Sequence, residues 1–273
     1  ALDEGVLFAL DWGFFGSGLG VELRRAHGAD PGTLRLGEWS PSTGGCGWHV
    51  ALPPKGSASP ALFAVQTYCT AAESELWTSD GSVARTRSLR SFPEEHLDFA
   101  PAANRLLGTF LFLASHDDGQ AGASRFAIWK SDGTAAGTQE VAQLPAEPDS
   151  GTYSFIAAAS GAQAIYFAWS DAVHGRELWR TDGTAAGTGL AADLEPGPES
   201  SWPSQLRTVG DQVIFRAGTA ATGVELWQVD GGAFAPQPVA DLYPGIESSA
   251  PSILAVSEGG LFFLADDGVV GRE

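Results

Sequence analysis

Short apolar runs, each bounded by Gly, Pro, Asp or Ser, recur along the chain, the pattern strands require. Between Ser204 and Asp241 they resolve into four strands: Ser204–Val209, Gln212–Gly218, Val224–Val229 and Gln237–Asp241. The same reading places strands at Gly5–Asp11, Gly20–Arg25, Thr33–Glu38, Gly44–Leu52 and Ala61–Cys69, with two more after residue 250. The runs Leu111-Phe112-Leu113, Ile165-Tyr166-Phe167, Val213-Ile214-Phe215 and Leu261-Phe262-Phe263 are continuous rather than alternating. Continuous runs predict strands covered on both faces.

The pattern repeats. Trp77, Trp129, Trp179 and Trp227 follow one another at spacings of 52, 50 and 48 residues, and each runs into an Asp-Gly turn at Asp80, Asp132, Asp182 or Asp230. Glu-Leu precedes three of them, through Glu75, Glu177 and Glu225; Ala127-Ile128 precedes the other. Gly20 to Arg24 is a degraded copy with Arg24 in the Trp position, and Gly271-Arg272-Glu273 opens another. A second element, Asp-Leu-x-Pro-Gly-x-x-Ser-Ser, starts at Asp193 and again at Asp241. Four antiparallel strands per repeat, covered on both faces, predict an all-β chain: a β-propeller of four-stranded blades, about five blade equivalents in all. The blades fall near 1–40, 44–92, 97–144, 151–194 and 203–242, with a partial one at 250–273, in a single propeller domain. The uneven total predicts a longer parent chain; the other arrangement has residues 252–255 supplying the missing innermost strand of the first blade.

Glu-Leu-Trp-x-Ser/Thr-Asp-Gly-Thr-x-x-Gly-Thr followed by Asp-Leu-x-Pro-Gly-x-x-Ser-Ser resembles the ELWxxDGT repeat of bacterial secreted and surface proteins, many from myxobacteria. The resemblance spans nearly the whole chain and is strongest around Trp179 and Trp227. It implies a propeller and no defined activity.

A residue repeated in blade after blade serves the blade. Asp-Gly is therefore read as supplying the positive φ of a tight hairpin turn. Trp fills the wedge between neighbouring blades, its indole N–H reaching a carbonyl. The Glu carboxylate is partly buried and satisfied by Arg or by backbone N–H groups.

Composition narrows the function classes. The net charge of −18 argues against nucleic acid and anionic membranes, which demand Lys and Arg. No apolar run approaches the roughly 18 residues that span a bilayer, so no membrane insertion is expected. The chain opens at Ala1, beside a strand, and this reads as a processed or trimmed start. Arg, Ala and Gly usage suggests a GC-rich bacterial source, and the acidic surface suits secretion or the outer cell surface. Cys46 and Cys69 are the two cysteines. A hairpin centred near residue 57 or 58 sets them face to face, where opposed Cβ atoms lie about 4.5–5.5 Å apart, so a disulfide is expected; two buried free thiols are the other reading.

Candidate chemistry lies where the repeat fails. Trp12, Phe14 and Phe15 form an aromatic loop suited to stacking on a sugar or a partner protein, or to folding back on the blade. Arg24, His27 and His116 are the other candidate ligand-binding residues. Asp117, Asp118, Asp193, Asp266 and Asp267 offer hard oxygens for calcium, though none has an EF-hand spacing; otherwise they form turns. No His-Glu-x-x-His, Cys-x-x-Cys, Gly-x-Ser-x-Gly or phosphate-loop pattern occurs. His174 reads as a solvent-facing or loop-capping residue. The expectation is a binding or adhesion module for a glycan or protein, without assigned catalytic residues. The alternatives are a hydrolase or lyase with its site in the central channel, or a scaffold within a longer protein.

Overall fold

A computed structural model describes residues 5–12, 20–27, 33–39, 47–51, 61–68, 73–99, 109–116, 125–146, 158–230, 235–257 and 260–273. Within the first five strands it describes the side chains of Arg24, Leu34, Arg35, Leu36, Phe63, Ala64 and Val65. The chain is all-β and antiparallel. The only helical turn among the described residues is a 3₁₀ turn at Val83–Arg85.

Six sheets follow in chain order. The first is β1 (Gly5–Trp12), β2 (Gly20–His27) and β3 (Thr33–Trp39). The second is β4 (Gly47–Ala51), β5 (Ala61–Tyr68), β6 (Glu73–Ser79) and β7 (Arg87–Pro93). The third comprises β8 (Glu95–Phe99), β9 (Phe110–His116), β10 (Arg125–Ser131) and β11 (Gln139–Leu144). The fourth comprises β12 (Ala158–Ser160), β13 (Ile165–Asp171), β14 (Gly175–Thr181) and β15 (Gly189–Ala192). The fifth is β16 (Ser204–Val209), β17 (Gln212–Thr219), β18 (Gly223–Val229) and β19 (Pro236–Ala240), and the sixth pairs β20 (Ser252–Ser257) with β21 (Gly260–Leu264). Each strand pairs with its sequence neighbour in an antiparallel meander. β20 runs against β21 with Ser252 opposite Leu264, so in this structure residues 252–255 serve the last sheet.

The continuous apolar runs are explained by face-to-face stacking. In β9, Phe112 and Ala114 pack toward the second sheet with Leu76 and Phe92, while Leu111 and Leu113 pack toward the fourth. In β13, Ile165, Phe167 and Trp169 join the third sheet's core, and Tyr166 joins the fifth's. Both faces are filled, so no polar alternation survives in the sequence. The first strands of consecutive sheets lie side by side, β12 by β16 and β16 by β20. The Thr208 hydroxyl accepts from the Ser160 N–H (3.1 Å) and donates to its carbonyl (2.9 Å). Gln205 Oε1 accepts from the Ile253 N–H at 2.7 Å.

The Asp-Gly segment is not a two-residue hairpin turn. In the third and fourth sheets it is a loop between β10 and β11 and between β14 and β15, with only its first Gly at positive φ (Gly133 89°, Gly183 83°). The carboxylate closes it. Asp182 Oδ1 accepts from the Thr184 N–H (2.8 Å) and hydroxyl (2.7 Å), and Asp132 does the same with Thr134. The hydroxyls of Thr181 and Thr188 pair at 2.6 Å across the loop mouth. Gly187 completes it, because a Cβ there would lie 2.1 Å from the Asp182 carboxylate.

Trp129 and Trp179 do pack between their own sheet and the preceding one; Trp129 meets Phe92 edge-on at 5.0 Å. The indole N–H groups of Trp179 and Trp227 nevertheless find no carbonyl and are buried without a hydrogen bond. Trp77 instead donates to Glu75 Oε2 at 3.0 Å. The wedge is held by apolar burial rather than by an indole bond.

Candidate binding face

One end of the sheets carries the connections between successive sheets and the hairpin loops that join β13 to β14 and β17 to β18. The opposite end carries the Asp-Gly loops at Asp80, Asp132 and Asp182. Glu177 and Glu225 build the first end. Glu177 is fully buried and accepts from the Leu194 N–H (2.9 Å), the Ser201 N–H (2.7 Å) and the Ser201 hydroxyl (2.6 Å). Glu225 accepts from Leu242 and Ser249 in the same way, at 3.3, 2.8 and 2.6 Å. The first serine of each pair, Ser200 or Ser248, accepts a strand N–H from Arg176 or Val224 at 2.9 Å. Gly175, at φ 64°, admits the connection, since a Cβ would lie 2.2 Å from the Glu199 carbonyl. Thus the expected backbone satisfaction of the Glu holds at Glu177 and Glu225, and the two sequence elements are halves of one latch. Burial pushes the Glu177 carboxyl above its ordinary value, only partly opposed by the bonds from Ser201 and Leu194.

The described candidate ligand residues fall on different strands. His116 ends β9 at this end, its Nδ1 2.6 Å from the Glu94 carbonyl, with Glu94 at φ 62°. Glu95 and Arg125 stand opposite His116 on either side. Burial raises the Glu95 carboxyl, opposed by the charges of Arg125 and His116. Trp12 closes β1 at the same end, whereas His27 closes β2 at the other. Arg24 sits within β2, half-buried, opposite Phe8 and Arg35. Arg24 and His27 thus belong to the first sheet and His116 to the third. Phe14, Phe15, Asp117, Asp118, Cys46 and Cys69 lie outside the described residues, as does the Asp-Gly segment beyond Asp230. The β4–β5 ladder ends with Gly47 opposite Tyr68, one residue short of each cysteine.

The remaining calcium candidates are engaged as turn-formers. Asp193 Oδ2 accepts from the Gly197 N–H at 3.3 Å, and Asp266 Oδ1 from the Gly268 N–H at 2.8 Å. Asp267 Oδ1 accepts from the Val269 and Val270 N–H groups at 2.9 and 2.8 Å. Among the described residues, no three His, Cys, Asp or Glu side chains are grouped to hold a metal ion.

Sequence reasoning missed Trp202. It stands at φ 54° after the Ser-Ser pair, 65% exposed, with the Arg176 guanidinium 5.7 Å from its ring centroid. Its counterpart in the next repeat, Ala250, has φ 45°. The backbone conformation therefore belongs to the repeat, and the indole is an addition. A departure from the repeat at this position was the available signal. Nearby, His174 caps its loop as expected, with its ring Nδ1 2.9 Å from Asp171 Oδ2. The hydrogen bond to Asp171 raises the His174 imidazole above its ordinary value. Burial works to raise the Asp171 carboxyl, but the His174 ring and the backbone N–H groups of His174 and Val173 outweigh it and leave the carboxyl lowered.

No protein-family model matches this chain, and no curated protein matches it. Among solved structures it is similar to puromycin hydrolase, at 17% identity and TM-score 0.50 over 96% of this chain and 40% of that one. It is also similar to a prolyl endopeptidase (12% identity, TM-score 0.49, 96% and 37%) and to the uncharacterized protein lmo1340 from Listeria monocytogenes (9%, 0.46, 99% and 79%). The chain spans about 40% of the length of the hydrolase. At such identity the likeness to the hydrolase speaks of fold alone.

Proposed function

We propose that this chain is a β-propeller of the ELWxxDGT-repeat type, secreted or displayed on a bacterial surface, that binds a glycan or a protein through its loop-bearing end. The side-by-side first strands, the sheets covered on both faces and the fold-level likeness to part of puromycin hydrolase support the propeller. Phe262 occupies the repeat position of Tyr166 and Ile214, each of which packs against the following sheet. In a closed ring the exposed ring of Phe262 gains the same cover.

The observation that carries the binding reading is Trp202. The repeat does not need it, it is exposed, and a cation braces it at the end where the loops gather. Trp and Arg are the side chains enriched at the energetic centres of recognition surfaces. The test is a glycan array run in calcium and in chelator, alongside a protein-interaction screen on the same preparation, each with the Trp202→Ala variant as control. The reading predicts at least one saturable ligand lost in that variant. Ligands that bind both proteins equally, or none under any condition, refute it.

A further inference from the structure

Trp202 is not alone. The described apolar side chains exposed at this end are Val173 (65%), Trp202 (65%), Ile246 (74%), Val269 (85%) and Val270 (66%). They come from the β13–β14 hairpin loop, the connections after β15 and β19, and the loop after β21. These segments touch one another in series. Glu195 Oε2 accepts the Ala220 N–H at 2.6 Å, tying the first connection to the β17–β18 hairpin loop. The Tyr243 ring lies under Gly268, where a Cβ would approach to 2.7 Å, tying the second connection to the last loop.

Trp202, Ile246 and Val270 are each particular to one repeat, whereas Val173 and Val269 share a repeat position that is Ala221 in the copy between them. Trp202 is Ala250 one repeat later, and Ile246 is Pro198 one repeat earlier. Val269 and Val270 align with Ala221 and Thr222. Their backbone N–H groups are held by Asp267, which fixes the loop, and Val173, at the repeat position of Val269, is 65% exposed with its following connection in place. An exposed Trp beside an Arg has the make-up of a protein interface centre, and the neighbouring aliphatic groups add apolar surface for a partner to cover. Sugars reward an aromatic platform but gain little from Val and Ile.

The charge around these residues states the partner's sign. Along 171–176, 193–203, 241–251 and 265–273 the carboxylates outnumber the basic groups, which are Arg176, Arg272 and His174. We infer that the loop-bearing end of the fourth to sixth sheets is a docking surface for a basic protein segment that carries apolar side chains. Its cations face Glu199, Glu247 and their neighbours, and its apolar groups cover Trp202, Ile246 and Val269. This inference rests on the binding-module reading above and narrows it.

Fluorescence anisotropy tests it with the whole chain and a labelled peptide of alternating Leu and Lys, at physiological ionic strength. A Ser-Lys peptide of equal charge and a Leu-Glu peptide are the controls. The Leu-Lys peptide binds, the Ser-Lys peptide binds about ten-fold or more weakly, and Leu-Glu does not bind. Trp202→Ala and Val269→Ser each weaken Leu-Lys binding by about ten-fold. Both side chains are exposed, so circular dichroism and the thermal midpoint stay unchanged. Hydrogen exchange then slows at 241–249 and 265–273 on peptide binding and not at 181–188. Equal binding of Ser-Lys and Leu-Lys, or variants that bind as tightly as the parent, overturns the inference. A glycan that binds through Trp202 while no peptide binds also overturns it, yet leaves the binding-module reading standing. Silence from both peptides and glycans overturns both.

Discussion

Replacing Glu177 by Ala should open one connection between sheets. The carboxylate takes three donors from the connection that follows β15, two of them backbone N–H groups, and is fully buried. Alanine offers no acceptor. The Ser201 hydroxyl can turn elsewhere, but the N–H groups of Leu194 and Ser201 cannot. Each stranded donor costs about 1–3 kcal/mol, so the two backbone N–H groups together cost about 3–5 kcal/mol. We therefore expect Glu177→Ala to lose about 3–5 kcal/mol in urea unfolding, with hydrogen exchange at 193–201 accelerating first. Glu177→Gln keeps one acceptor oxygen and sheds the cost of burying charge, so it should lose about 1 kcal/mol. The carboxyl is raised by burial, so the folded chain binds the proton more tightly than the unfolded chain. Its contribution is present below the ordinary glutamate range and falls away as pH rises through the raised value; the Gln variant should lack that slope. A loss below about 1 kcal/mol for the Ala variant would refute the latch.

Other predictions follow from the same geometry. Gly187→Ala must expel the Asp182 carboxylate and should cost about 1–2 kcal/mol, whereas Gly189→Ala, with nothing within 4 Å of its Cβ, should be tolerated; the first effect should vanish in an Asp182→Ala background. The loop carboxyls Asp132 and Asp182 are lowered chiefly by hydrogen bonds from Thr134 and Thr184, so the stability they add is present above the ordinary aspartate range and lost as pH falls through their lowered values. Exchange at 132–138 and 182–188 should accelerate on acidification. An NMR titration should find the His174 imidazole above its ordinary value and returned toward it in Asp171→Asn. That pair steadies its loop between the lowered Asp171 value and the raised His174 value, and the support fades beyond either. Mass spectrometry without reductant should find the intact chain lighter by two hydrogens, with Cys46 and Cys69 in one peptide pair; two alkylated thiols would end the disulfide reading.

The strands were legible because each apolar run is short and each break is chemical. Ser204–Val209 matches the predicted bounds, and the other three strands of that sheet shift by a residue or so at their ends. The stacking on both faces was legible for the same reason, from Val213-Ile214-Phe215 and its copies. The roles inside the repeat were less so. That Glu177 bonds Leu194 and Ser201 is a contact across a connection, and periodicity reports a shared position without its partner. The Asp-Gly loop was misjudged because the dipeptide suits a hairpin turn, while here the Thr after Gly, not the turn geometry, satisfies the Asp.

The same logic explains why Trp202 escaped notice. A search for function where the repeat is poor looks to the first three sheets, but a repeat also fails one residue at a time. The fourth and fifth sheets are the most regular in sequence, and there the fold's own needs can be subtracted position by position. Glu177, Ser201 and Gly175 are spent on the latch, and Glu225, Ser249 and Gly223 spend themselves identically. Asp171 and His174 bond each other where the next copy pairs the Thr219 and Thr222 hydroxyls at 2.9 Å, so that change preserves the loop's closure. Trp for Ala at 202 preserves nothing: the indole is 65% exposed and forms no part of the core. Its one ring contact among the described residues is the Arg176 guanidinium at 5.7 Å, which leaves most of the indole free to meet a partner. On the proposed binding reading, Trp202 belongs to the regular half of the molecule, where Trp202→Ala is expected to separate binding from folding.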